Sequence, residues 1–427
     1  MPSDWAAAYA ELIGRLPGFV EGARLSLCGF SVCVDAVVEL GTAEALLQAE
    51  GATPAAALAA ELKRRAANGI GGEIKVDWPA GPAWLERHLR FRTALGGTGA
   101  HAAWVLTSLG APALLSLADR SGMQLAEIAP DVLLAEDGRM VRVRDVEPRG
   151  TPRTKMFIFE YTAGTAVGDI VPSRSSRIIV RFSDPGLEED AAFVEVAAAA
   201  AGTAGAGILS GFNSATAASL PAAIALARRA ASPWLAAGVP AVHLELADYP
   251  SPAQRDATLD GLKGAFNSIG MSRSEYLALG LHADDLAAGM VAGGQRLGVR
   301  RFCVHADHWA AAATLDDPAR ERDALLMGCL LASSRASAGR PVYPRAIARG
   351  AAFGRPPFDG TVKHGDWNSV CCVSPYLTRP ATTLGAGDTF TAGCLLVLGQ
   401  DRDEAQPGAV HPGEGRRGRA SSLQATN

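Results

Sequence analysis

Short apolar runs alternate with helix-length segments through the second half of the chain, and this rhythm restricts the possible folds more than any other feature. After Glu188 the runs are residues 207–211, 241–246, 266–271, 301–305 and 370–373, each separated from the next by a helix-length segment. Runs that are apolar throughout, without alternation, suit strands covered on both faces. The pattern predicts an α/β fold with a doubly wound, mostly parallel sheet flanked by helices. The same rhythm starts near the N-terminus: residues 25–40 read as one buried strand, 42–69 as helices, and 114–118 as a short strand. Between them, Gly96-Gly97-Thr98-Gly99-Ala100-His101 is a glycine turn opening a helix that stops near Gly110.

Residues 132–181 change character. Val141-Arg142-Val143, residues 156–161 and residues 177–182 look like strands joined by polar connectors, a β-rich insertion in an α/β chain. The expected organisation is a large α/β domain from residues 1–34, 97–131 and 186–400. A smaller, discontinuous lid or substrate domain is expected from 35–96 and 132–185. The stretch 401–427, rich in Gly, Pro, Arg, Glu and Ser, is expected to be a disordered tail.

With 427 residues, 48% hydrophobic and 20% charged, the chain is an ordinary globular protein with room for two domains. A net charge of −4 gives no bulk field for nucleic acid or membrane surfaces. The seven cysteines are odd in number, lie mostly in apolar runs and form no C-x-x-C pair, which predicts reduced thiols and a cytoplasmic location. Met1-Pro2-Ser3-Asp4-Trp5 shows no secretion signal. Residues 196–227 carry no charge, but their Ala, Gly, Ser and Thr content, with Asn213 and Pro221, predicts a buried helix, a turn and a strand rather than a membrane span.

The chemistry concentrates in Thr383-Leu384-Gly385-Ala386-Gly387-Asp388-Thr389. A helix start leaves backbone N–H groups unpaired and carries the positive end of the helix dipole, so it attracts phosphate. An acid at the same place is repelled by phosphate unless it has a task. Asp388 could take the proton of a substrate hydroxyl while the amides of Gly385, Ala386 and Gly387 hold the charge of a transferring phosphoryl group. The alternative is an ordinary Asp at a helix cap. Strand ends carry further acids, Asp35, Glu245 and Glu275, in positions where α/β sheets bind ligands and where Mg²⁺ could be held through retained waters. Arg174, Arg177 and Arg181 could clamp a phosphorylated substrate or simply line a solvated strand edge. His305 and His308 read as hydrogen-bonded loop histidines rather than metal ligands.

Taken in order, these pieces resemble the ADP-dependent glucokinase/phosphofructokinase family of the ribokinase-like superfamily, up to about residue 400. The matching residues include Cys28-Gly29-Phe30-Ser31-Val32-Cys33-Val34-Asp35-Ala36, the Gly96-Gly97 turn, Phe157-Ile158-Phe159-Glu160-Tyr161, residues 174–182, and Leu209-Ser210-Gly211-Phe212. They continue through His243-Leu244-Glu245, Asn267-Ser268-Ile269-Gly270-Met271 with Glu275, Val304-His305 and the Gly-Ala-Gly-Asp segment. The resemblance implies that Asp388 is the catalytic base beside an anion hole of Gly385, Ala386 and Gly387, and that Glu245 and Glu275 support Mg²⁺. It also implies an acceptor site including Asp35, Gly96, Gly97, Thr98, His101, Glu160, Arg174 and Arg177, covered by a closing lid. The chain departs from the family's Asn-Glu-x-Glu, which is Ser272-Arg273-Ser274-Glu275 here, and it lacks an acid before the Gly96 turn, where Arg92-Thr93-Ala94 stands. Free glucose is therefore disfavoured as acceptor.

The expected function is a cytoplasmic, Mg²⁺-dependent kinase, monomeric or homodimeric, that moves a phosphoryl group from ADP to a hydroxyl of a sugar or sugar phosphate. The alternatives are an ATP-dependent kinase of a nucleoside or unusual sugar, and a catalytically idle sugar-binding paralogue.

Overall fold

The computed structural model of the chain describes residues 4–183, 186–281 and 284–401. The strands are β1 (Leu25–Cys28), β2 (Cys33–Glu39), β3 (Gly72–Lys75), β4 (Arg92–Gly96), β5 (Ala113–Leu115), β6 (Leu133–Glu136), β7 (Arg139–Arg142), β8 (Met156–Tyr161), β9 (Ser176–Arg181), β10 (Ala204–Leu209), β11 (Ala241–Glu245), β12 (Ser268–Ser272), β13 (Arg301–His305), β14 (Trp309–Thr314), β15 (Val362–His364) and β16 (Trp367–Val373). Eleven form a large sheet in the order β15-β16-β14-β13-β12-β11-β10-β1-β5-β6-β7, and five form a small one in the order β3-β9-β8-β2-β4. From β13 to β6 every neighbouring pair in the large sheet is parallel, and antiparallel pairs occupy its two ends. The chain is thus α/β, with the doubly wound, mostly parallel sheet expected.

The apolar runs are continuous because both faces of the large sheet are covered. In β13, Cys303 packs into one core and Phe302 and Val304 into the other. The first core draws Leu106, Leu330 and Leu395 from helices Thr98–Leu109, Pro318–Ala338 and Ala386–Leu398. The second draws Phe193, Trp234 and Met290 from helices Ala191–Ala200, Leu220–Ala236 and Leu286–Leu297. Each buried Leu or Phe contributes about 2 kcal/mol relative to exposure. The uncharged stretch 196–227 lies across a helix end, β10 and the next helix start, as its composition suggested. Among the described residues no helix is long and apolar enough to cross a membrane.

The small sheet has its own core. Val38, Phe157, Phe159, Ile178 and Val180 on one face pack against Leu58 and Leu62 of helix Pro54–Ala67. On the opposite face Val37, Met156 and Ile158 cluster with Leu384, which belongs to the loop before the last helix. That second face is turned toward the large sheet.

The structure corrects three sequence expectations. Residues 25–40 are two strands in different sheets, not one. The run breaks where Phe30 buries its ring edge-on against Phe193 and the Ser31 carbonyl accepts the Ala100 N–H at 3.3 Å. The insertion also begins later than expected: β6 and β7 lie on the edge of the large sheet, joined by an Asp137-Gly138 turn with φ of 49° and 72°. Leu134 and Ala135 enter the two opposite cores of that sheet, so this hairpin belongs with the large sheet rather than the small one. Finally, β14 was not foreseen. Its run of four alanines favours helix in isolation, but between β13 and β16 alanine is small enough for two buried faces. Apart from Asp401, the expected tail, 401–427, lies outside the described residues.

Candidate active site

Helix Ala386–Leu398 starts without any side-chain cap, after Gly385 at φ +66°. Glycine is required there, because a Cβ would lie 2.6 Å from Arg335 Nη2. The first-turn amides of this helix are therefore left for a ligand. Asp388 sits in the same turn with a side chain 23% exposed, and His101 Nε2 lies 4.0 Å from its Oδ2. Burial pushes the Asp388 carboxyl above its usual range, opposed by the Thr98 side chain and the charges of Arg177 and Arg335. Glu245 adds to the upward push. A carboxyl of this kind is available to accept a proton at neutral pH.

Asp35 approaches from the small sheet. It lies on β2 opposite Ala94 and is buried, 3% exposed. Gly96 makes room for it, since a Cβ there would be 2.3 Å from Asp35 Oδ1. Burial pushes its carboxyl up to about 7, with the Cys33 thiol opposing and the Asp388 charge adding. Gly97, at φ +91°, turns the chain onto the Ser31 carbonyl and opens helix Thr98–Leu109, which brings Thr98 and His101 to Asp388.

The two sheets meet at the loop before Gly385. Glu160 Oε1 accepts hydrogen bonds from Thr382 Oγ1 at 2.9 Å and Thr383 N at 3.1 Å, while its Oε2 pairs with Arg92 at 3.3 Å. Arg177 Nη1 donates to the Thr383 carbonyl at 3.2 Å, and its charge acts on Asp35, Asp388, His101 and Arg335. Of the three arginines singled out, Arg177 alone reaches the site loop. Arg174 pairs with Asp307 at 2.8 Å, half exposed, and Arg181 pairs with Glu73 at 2.6 Å.

Glu245 and Glu275 form a different kind of centre. Glu245, at the end of β11, accepts from His243 Nε2 at 2.9 Å, Thr391 Oγ1 at 3.0 Å and His305 Nε2 at 3.3 Å. Burial pushes its carboxyl up, but the His243 and His305 hydrogen bonds overcome that and hold it at about 2. Glu275 closes a capping box with Ser272, whose N–H donates to Glu275 Oε2 at 2.7 Å. Among the described residues no group of three or more His, Cys, Asp or Glu could hold a metal ion. Glu245, already saturated by two histidines and a hydroxyl, does not fit direct Mg²⁺ coordination, which demands free oxygens, whereas Glu275 accepts one backbone N–H through Oε2. Ser272, where the resemblance led to an expectation of Asn, is the N-cap of that box.

Sequence reasoning missed Arg335 and understated His305. Arg335 lies in the last turn of helix Pro318–Ala338, where a basic residue is ordinary at a helix end. Nothing local marks it, yet it is 3% exposed and touches Thr389, His101 and the Trp104 ring. His305 ends β13 against Glu245 and within 3.2 Å of where a Gly387 Cβ would be, while His308 lies outside the site against Tyr376.

No family model matches the chain, and no curated protein matches it significantly. Solved structures do. An ADP-dependent kinase in complex with fructose-6-phosphate and ADPβS has a TM-score of 0.75 at 17% identity, over 93% of this chain and 99% of that one. The last common ancestor of ADP-dependent phosphofructokinases from Methanosarcinales has a TM-score of 0.69 at 16% identity, over 93% of this chain and 98% of that one. A phosphofructokinase from Pyrococcus horikoshii with AMP has 0.67 at 17% identity, over 88% and 98%. The chain has the fold of these ADP-dependent kinases.

Proposed function

We propose that the chain is a phosphotransferase that moves the terminal phosphoryl group of a nucleotide, ADP in preference to ATP, to a hydroxyl of a sugar phosphate. The observation that carries this reading is the uncapped helix start at Gly385 with Asp388 in its first turn, its carboxyl raised by burial and flanked by Arg177 and Arg335. As the acceptor oxygen forms its bond to phosphorus, its proton passes to the Asp388 carboxylate. The bond between the terminal phosphorus and the bridging oxygen breaks, and the shortened nucleotide leaves. The amides of Ala386 and Gly387 hold the phosphoryl oxygens, and the buried guanidinium behind Gly385 adds positive charge to the same place.

Asp35, Gly97 and Thr98 face the acceptor, and Arg177 meets its phosphate. Glu160 draws the small sheet onto the Thr382-Thr383 loop as a lid that excludes water. Mg²⁺, in this reading, comes with the nucleotide's phosphates and keeps its water shell rather than sitting on Glu245 and Glu275. Fructose-6-phosphate and ADPβS bound to a fold neighbour support a sugar phosphate and a nucleoside diphosphate as the ligand pair. The locked Glu245 favours a second reading, a ligand-binding paralogue without turnover.

Transfer of label from terminally labelled ADP or ATP to a panel of sugars, sugar phosphates and nucleosides decides between them. The proposal expects transfer from ADP to a sugar phosphate, abolished by Asp388→Asn. Label transfer that persists in that variant removes Asp388 as the base, and binding without transfer supports the paralogue.

A further inference from the structure

Asp388 has a support, through His101, that goes beyond the charge Arg335 lends the site. Arg335 and His101 are 3% and 2% exposed, and Arg335 Nη2 lies 3.2 Å from His101 Nδ1. A guanidinium can only donate, so Nδ1 must be the accepting nitrogen, and a neutral imidazole then carries its proton on Nε2. That Nε2 is the atom facing Asp388 Oδ2 at 4.0 Å. Arg335 is itself fixed: Nη1 donates to Thr389 Oγ1 at 3.1 Å, and the guanidinium lies 5.4 Å from the Trp104 ring centroid. Among the described residues no carboxylate lies within salt-bridge distance of it. A buried cation without an ion pair costs stability, which argues for a task.

We propose that Arg335 and His101 are positioning residues for Asp388: Arg335 locks His101 in its Nε2–H tautomer, and His101 presents that N–H to the carboxylate. The contact shortens to a hydrogen bond when acceptor is bound, since such bonds are often long in ligand-free sites. The result is a carboxylate held in one orientation and kept ionised against its burial. Burial and the Arg335 charge keep His101 neutral, in agreement with this geometry. His101 was expected to face the acceptor; this assignment turns it toward the base instead. The inference rests on Asp388 being the base.

The groups facing Asp388 are Thr98 and His101 from the helix after Gly97, Arg335 from helix Pro318–Ala338, Arg177 from β9, Asp35 from β2 and Glu245 from β11. His101→Leu deletes one donor among these and leaves every charge. With ADP and fructose 6-phosphate as probes, kcat should fall about 10- to 100-fold with KM changed less than threefold. The acidic limb of the kcat profile should move up by about one pH unit, because the carboxylate loses a stabilising donor. His101→Gln, which keeps an N–H near the Nε2 position, should recover most of the rate and return the limb toward its wild-type place. A merely structural role would move neither the limb nor its recovery.

Nitrogen-15 NMR of histidine-labelled wild-type protein tests the lock without turnover or a variant. His101 should show the neutral Nε2–H tautomer from pH 5 to 8, and the Nδ1–H tautomer or protonation in that window overturns the inference. So does a His101→Leu enzyme with wild-type kcat and limb. If Asp388→Asn retains activity, the base assignment itself has failed; if Asp388→Asn is inactive and His101→Leu is normal, only the positioning role has failed.

Discussion

Asp388, with a side chain 23% exposed, and Glu245, 7% exposed, are largely buried acids at the same end of the large sheet, and they are treated in opposite ways. Glu245 is surrounded by three donors and held ionised at about 2; Asp388 has few partners and is pushed above its usual range. Burial is common to both, so the number of donors decides the outcome. A saturated carboxylate is a fixed charge that shapes its neighbours, while an under-partnered one can take up a proton. The contrast explains why Asp388, and not Glu245, is the candidate base.

The largest test of that contrast is Asp388→Asn. It should lower kcat about a thousandfold while leaving the fold intact. Because a raised carboxyl favours its protonated form in the folded state, ionised Asp388 costs stability at neutral pH, and that cost falls as pH drops through the folded value. The neutral asparagine should therefore raise the thermal midpoint at pH 7, and a lower midpoint would break the comparison. Glu245→Gln should do the reverse. It faces His243 and His305 with an uncharged group and should destabilise the fold by about 3 kcal/mol, measured by denaturant unfolding. The sign of its pH dependence is also opposite: Glu245 adds stability above about pH 4.5, the unfolded value, and loses it as pH falls toward about 2. The variant's acid-unfolding curve should lack that loss, and an unchanged curve would show that the donors do not hold the charge. The smallest effect is expected at Glu160→Ala, which removes the contacts to Thr382 and Thr383 across the two sheets. The acceptor KM should rise about tenfold with kcat changed little, as for the loss of one net hydrogen bond to a charged group. Steady-state kinetics with fructose 6-phosphate and ADP would check it.

Much of this arrangement could be read from the residues alone. The β-rich β8 and β9 and the parallel centre of the large sheet carry their own signals, and so does the Gly385 turn, because each depends on neighbours within a few positions. What escaped notice depends on residues distant in sequence. Arg335 looks like any basic residue closing a helix, and only the packing of that helix against Ala386–Leu398 carries it under Gly385. The alanines of β14 state the opposite of their conformation. Residues 25–40 look like a single strand because both halves are buried, each in a different core. The capping box at Ser272 was written in the sequence as Ser-x-x-Glu, a pattern that also serves an acidic ligand set, and hydrogen bonding separates the two.

The break at Gly29-Phe30-Ser31-Val32 has a consequence of its own. Asp35 rides on β2 with the small sheet, whereas Asp388 is anchored to helices of the large one. Neither half of the molecule contains both acids. In the proposed phosphotransfer, a nucleotide docked on the large half alone would meet a base with no acceptor beside it, and stray water would find an incomplete apparatus. On that proposal, chemistry would be conditional on the two halves meeting, which would protect the nucleotide from idle hydrolysis.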